Sequence, residues 1–247
     1  MAETFTASPS LAGDQATWKQ ADKRRFQNIF RKQAIRSYLL LSFGMGIVAL
    51  ALPILLVLFG GYEDHFSISY FYYVNDTTRN ILVGGLWAQG IFLFLFHGLS
   101  RLENWILNVA GVAAISVAMN PMTLFGAEGS SAIDRQCSRE GQAYDLSLHT
   151  ASAIVFFACL AVVAVVLAKG RVKAITDPVK RQLFKRAYDI AGIAMIAMPA
   201  AVTAHNLFSG GGCQSHWIFW VECFGIGAFA FFWFVKTFEY RLLLRLR

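Results

Sequence analysis

Residues 217–235 read WIFWVECFGIGAFAFFWFV, an apolar run broken by a single carboxylate, Glu222. A run of this length crosses a bilayer, because about 20 helical residues at about 1.5 Å rise span the hydrocarbon core. Five further apolar stretches precede it, at Tyr38–Phe59, Ile81–Leu99, Trp105–Phe125, Leu146–Ala168 and Ile190–Phe208. The whole chain of 247 residues is 56% hydrophobic and only 15% charged, more apolar than the surface of a soluble domain can cover. In lipid the backbone must satisfy its own hydrogen bonds, which leaves helices or closed barrels, and runs without alternation select helices. The expected fold class is all-α: a polytopic six-helix transmembrane bundle.

Basic residues set the orientation. With the N-terminus inside, all but Arg79, Arg135 and Arg139 of the 22 Lys and Arg fall in inside segments, and six spans return the C-terminus to the cytoplasm. The net charge of +7 is thus a topology signal that suits an anionic inner leaflet, and it gives no reason to expect nucleic acid. The expected location is a cell membrane, such as a bacterial inner membrane, with the lipid bilayer as partner. The polar segment ahead of the first span is too long for the basic region of a signal peptide.

Four regions follow. Residues 1–17 are small and polar and are expected to be disordered. Residues 18–37 carry Trp18, Phe26, Ile29 and Phe30 among Lys and Arg, either a surface amphipathic helix or the solvated start of the first span. Residues 38–236 form the membrane domain, and residues 237–247 a basic cytoplasmic tail. In the first outside loop, Phe66, Ile68, Tyr70 and Tyr72 alternate with Ser67 and Ser69. Such a segment folds onto the outer mouth of the bundle as an aromatic cover, or serves only as an interfacial belt. Cys137 and Cys213 are the cysteines of the outside loops, and an oxidising exterior favours a disulfide between them over two free thiols.

A carboxylate inside a span is costly and marks a functional-site hypothesis. The polar residues around Glu222 share its depth: Arg79 at the head of span two, Asn120 near the outer end of span three, His149 and His205 about a turn inside spans four and five, and His216 at the head of span six. Together with Ser67, Ser69, Tyr70 and Tyr73 they make a candidate ligand pocket at the outer face. The inner halves of the spans are nearly free of ionisable groups. Glu222 should face inward and pair with His149 or Arg79, with Phe219 and Ile226 turned toward lipid. The competing reading is a polar network that only pins the helices together.

Several chemistries find little support. The histidines and carboxylates show no HExxH or paired-cysteine spacing, so no metal site is assigned. His149 and His205 could flank a haem, but His97 has no partner for a second one across the membrane. No GxSxG or Walker loop is present, though Ser67 or Ser69 could serve as a nucleophile. No cofactor and no protein partner is indicated.

The stretch from Ser67 to Pro121 resembles a family of bacterial six-pass integral membrane proteins without an assigned reaction. The resemblance rests on Ser67, Ile68, Ser69, Arg79, Val83, Gly84, Asn108, Ala110, Gly111, His149, Glu222, Trp233 and Lys236 in that order, over most of residues 38–236. It implies a shared fold and no activity. A more distant likeness leads to membrane metal hydrolases of the ceramidase and adiponectin-receptor type. Their last helix carries His-x-x-x-His, where this chain has His216 followed by Trp220.

The function expected from these residues is a non-catalytic membrane protein that binds a lipid, small molecule or partner in the outer pocket. The alternative is an intramembrane lipid hydrolase, metal-dependent or not, using Glu222 and His149. A third reading, a small transporter, lacks polar residues on the inner side for a through-path.

Overall fold

The computed structural model describes residues 9–62, 67–98, 100–122, 147–208 and 217–245. They form six helices: α1 (Pro9–Gly60), α2 (Asp76–Leu95), α3 (Arg101–Met119), α4, α5 (Pro178–Phe208) and α6 (Trp217–Arg245). Helix α4 runs through Leu148–Val162, a π turn at Val163–Leu167, and Ala168–Val172. The segment before α2 contributes a short 3₁₀ turn, Ser69–Tyr72. Four stretches are long and apolar enough to cross a membrane: Lys23–Gly60, Arg101–Met119, Leu148–Gly170 and Trp217–Leu244. The chain is a multi-pass helical membrane protein, in contact with the bilayer through these helices.

Helix starts follow local chemistry that hydropathy alone misses. Helix α2 begins ahead of the expected Ile81 because Asn75 caps it. The Asn75 side chain accepts from Thr78 N–H at 2.8 Å while the Thr78 hydroxyl accepts from Asn75 N–H at 3.3 Å. Helix α3 begins at Arg101 because the Ser100 hydroxyl accepts from Glu103 N–H at 3.0 Å, and it stops at Met119, two residues before Pro121. Helix α5 starts at Pro178, well ahead of Ile190. Pro178 needs no N–H in the first turn, and the Asp177 carboxylate accepts from Val179 N–H at 2.9 Å and Lys180 N–H at 3.3 Å. These bonds, the Lys180 one foremost, hold the exposed Asp177 carboxyl below its ordinary range. Helix α1 starts at Pro9, inside the segment expected to be disordered.

Two compact units divide the chain, Met1–Leu40 and Leu41–Arg247. In the first, Phe26 and Phe30 stack at 6.5 Å and stand exposed with Ile29 among basic residues. In the second, α2 packs on α3, α3 on α4, α4 on α5 and α5 on α6. Helix α1 joins through Phe43 against Phe234, the Met45 carbonyl taking a bond from Gln89 Nε2 at 2.9 Å, and Leu52 against Gly85. Helices α2 and α3 approach closely at Gly90 and Gly111, where a Cβ on either glycine would come within 2.8 Å of the other's carbonyl oxygen. Ile54, Leu58, Trp105, Val112, Ile193 and Phe224 point outward, an apolar exterior that lipid covers.

Candidate functional site

The segment Ser67–Tyr73 folds back onto the bundle. Ile68, Tyr70 and Phe71 are buried, with Ile68 and Phe71 in one apolar cluster with Leu52, Leu56, Leu82 and Phe219. Its polar atoms are held from several helices. From α2, the Thr78 hydroxyl donates to the Phe71 carbonyl at 2.7 Å and Arg79 Nε to the Tyr72 carbonyl at 3.1 Å. The Arg79 guanidinium lies 5.1 Å from the Tyr72 ring centre and pairs with Asp76 at 2.9 Å. The Tyr73 hydroxyl donates to the Met122 carbonyl at 2.6 Å, just beyond α3. Burial pushes that hydroxyl above its ordinary value, so it stays a donor.

Helix α6 supplies the carboxylate. Glu222 Oε2 accepts from Ile68 N–H at 2.5 Å, and Oε1 accepts from the Ser67 hydroxyl at 3.3 Å. The Ser67 oxygen in turn accepts from Ser69 N–H at 3.1 Å. One carboxylate thereby satisfies the backbone entering the 3₁₀ turn, whose own bonds run from Tyr70 N–H to the Ser67 carbonyl at 3.3 Å and from Phe71 N–H to the Ile68 carbonyl at 3.2 Å. Nearby, Trp220 Nε1 donates to the Tyr62 hydroxyl at 3.0 Å.

Helix α4 holds the other side through His149. Its Nδ1 lies 2.9 Å from the Asn120 carbonyl, and its Nε2 lies 3.1 Å from the Ser69 hydroxyl. A carbonyl only accepts, so Nδ1 carries the hydrogen; in the neutral ring Nε2 is then an acceptor, and Ser69 donates to it. Asn120 is fixed in turn, its Nδ2 donating to the Ser116 carbonyl at 2.8 Å, while the Ser116 and Ser152 hydroxyls bridge α3 and α4 at 2.8 Å. Ser69 and His149 border a cavity of about 20 Å³, the room of a water molecule, whose remaining walls include Leu82, Leu86, Val117 and Pro121.

The structure brings Ser67, Ser69, Tyr70, Tyr73, Arg79, Asn120, His149 and Glu222 to this end of the bundle, but not in the expected pairs. Glu222 faces the turn, yet its hydrogen bonds go to Ser67 and Ile68 rather than to His149 or Arg79. The physical reason is that a backbone N–H without a partner competes well for a carboxylate, while Arg79 finds Asp76 one helical turn back. Phe219 and Ile226 are also corrected: Phe219 is buried against Phe71 and Tyr62 rather than turned to lipid, because the folded-back turn supplies an aromatic wall there, and Ile226 packs partly buried against the same cluster. His205 sits on α5, and its side chain lies outside what is described; His216, Cys137 and Cys213 lie outside the described residues altogether. Cys159 and Cys223 are free thiols. Among the described residues, no three of His, Cys, Asp and Glu gather as a metal-binding group.

A second polar layer lies near the opposite end of α6, and the sequence reading missed it. Lys236 and Glu103 form an ion pair at 2.6 Å with both side chains almost fully buried. The ammonium sits 4.6 Å from the Phe96 ring centre, 5.2 Å from Trp233 and 5.3 Å from Phe232. One turn on, the Tyr188 hydroxyl of α5 donates to Glu239 at 2.5 Å, and the Ser42 and Thr237 hydroxyls join α1 to α6 at 2.9 Å. Residues 237–245 of the expected tail continue α6, and Thr237 and Glu239 are buried. A signal was available: Glu222, Ile226, Phe229, Trp233 and Lys236 recur at alternating spacings of four and three, one face of a helix.

These features define a helical membrane protein with a polar cluster at one end of its bundle and a buried ion pair toward the other. No protein-family model, no curated protein and no solved structure matches the chain.

Proposed function

We propose that the chain crosses the membrane six times with both termini in the cytoplasm, and that the end bearing Glu222 is a binding site at the outer face for a lipid or small molecule. The distribution of basic residues supports the orientation, and the resemblance to bacterial six-pass proteins is consistent with it. One observation carries the binding site: the Ser67–Tyr73 turn is held over the bundle by a half-buried carboxylate and a histidine from two different helices. Glu222 takes a peptide N–H and a hydroxyl, groups that a polar head offers equally well. A polar head that supplies such donors can share the carboxylate beside the turn, and the aromatic side chains of the turn, held in place, offer it an apolar cover.

The test is retention of lipid. The full chain is purified from membranes in mild detergent, and bound lipid is read by native mass spectrometry for the wild type and for Glu222→Gln. The expected result is a defined lipid adduct on the wild type that the variant loses while keeping its thermal midpoint. No adduct on the wild type after incubation with total lipid extract, or equal adducts on both proteins, overturns the binding site.

A further inference from the structure

We infer that Ser69 is an activated nucleophile and that the outer site can transfer or hydrolyse the acyl group of an ester, with His149 as general base and the Asn120 carbonyl as its positioning group. This rests on the reading of the outer end as a lipid or small-molecule site, and goes beyond binding.

The geometry meets three conditions for an activated serine. The hydroxyl is within hydrogen-bonding distance of the imidazole, 3.1 Å from Nε2. The other ring nitrogen is anchored at 2.9 Å on a carbonyl, which fixes both the ring and the tautomer that leaves Nε2 free to take a proton. Both reacting side chains border one cavity, so a guest in it touches nucleophile and base together. The anchor itself is stiff, because Asn120 is the C-cap of α3 and is held from Ser116.

The cavity sets the substrate class. Its room is that of one water molecule, enough for the carbonyl oxygen of a guest and no more, and its remaining wall is largely apolar, with Leu82, Leu86 and Val117 from α2 and α3. An ester whose carbonyl oxygen takes that space, with its acyl chain outside the cavity, suits the apolar surroundings, which favours acyl esters of lipid type over polar, highly charged substrates.

The steps balance without a metal or an oxidant. The Ser69 oxygen bonds to the carbonyl carbon as its proton passes to His149 Nε2. The ester C–O bond then breaks, and the leaving alcohol takes that proton. Water completes hydrolysis: its oxygen attacks the acyl carbon, Nε2 accepts its proton, and the Ser69 oxygen leaves and recovers the proton. A second alcohol in place of water gives acyl transfer. Glu222 holds the turn that carries Ser69 and does not enter these steps, unlike the pairing of Glu222 with His149 expected from sequence.

The full-length protein in lipid nanodiscs is treated with an alkyl fluorophosphonate, and the labelled residue is mapped by peptide mass spectrometry. The expected result is a phosphonyl adduct on Ser69, absent from Ser69→Ala, with the labelling rate falling about a hundredfold or more in His149→Gln. The wild-type rate should rise with pH as the imidazole loses its proton, and His149→Gln should lose that dependence. Should Ser69→Ala misfold, Ser69→Cys gives a second arm: its thiol should react with iodoacetamide faster when His149 is present. An unlabelled Ser69 in folded wild type, or labelling indifferent to His149, overturns the inference. If lipid is retained while Ser69 stays unlabelled, binding stands and the nucleophile falls; if labelling occurs without lipid retention, the reverse holds.

Discussion

Lys236 shows how much a single side chain can decide here. Its ammonium is removed from water and bonded to Glu103 at 2.6 Å, and three aromatic rings close around it. Removing one partner leaves the other charge buried and alone, a loss of about 3–5 kcal/mol, whereas replacing both with apolar groups of similar volume is close to neutral. Lys236→Met and Glu103→Leu should each lower the thermal midpoint sharply, and the double variant should recover most of it. A double variant as unstable as the sum of the singles would mean that the pair itself contributes little and that packing explains the losses. The pair was hidden from the sequence because Glu103 falls in the short link ahead of the expected span start at Trp105, and Lys236 reads as a topology marker. Glu222 was legible for the opposite reason, since it is the single acidic residue within the six apolar stretches.

Helix pairs carry the next set of consequences. Gly90 and Gly111 let α2 and α3 approach until a Cβ would strike backbone oxygen, which cannot move aside as a flexible side chain does. Gly90→Ala should therefore destabilise the protein by about 1–3 kcal/mol through overpacking. Gly44, on α1, has open space where its Cβ would lie, and Gly44→Ala should be neutral or slightly stabilising. Thermal unfolding of the two variants in the same detergent checks the contrast, and equal effects would count against the close approach. At this scale the sequence was a good guide to the existence of the helices. It was a poor guide to their ends, because Asn75, Ser100 and Asp177 cap by hydrogen bonds that hydropathy does not register. The folded-back turn was legible in outline from the aromatic and serine alternation. Its 3₁₀ form was not, since it depends on Glu222 and Thr78 meeting its backbone from distant positions.

Over the whole molecule, the proposed topology puts the two polar layers at opposite faces of the bilayer, with Glu222 and Lys236 about 21 Å apart along one helix at about 1.5 Å per residue. Reporter fusions after residue 170 and at the C-terminus should read cytoplasmic, and fusions near Ser130 external; a cytoplasmic reading at Ser130 would invert the map. The central claim is that the outer turn is clamped to the bundle by Glu222, and hydrogen exchange at the Ile68 amide tests it most directly. In nanodiscs this amide should exchange slowly in the wild type. It should exchange markedly faster in Glu222→Leu, which leaves the N–H without its acceptor, a loss of about 1–3 kcal/mol, while amides in α2 and α3 are unchanged. Rapid exchange at Ile68 in the wild type, or equal protection in both proteins, would contradict the clamp.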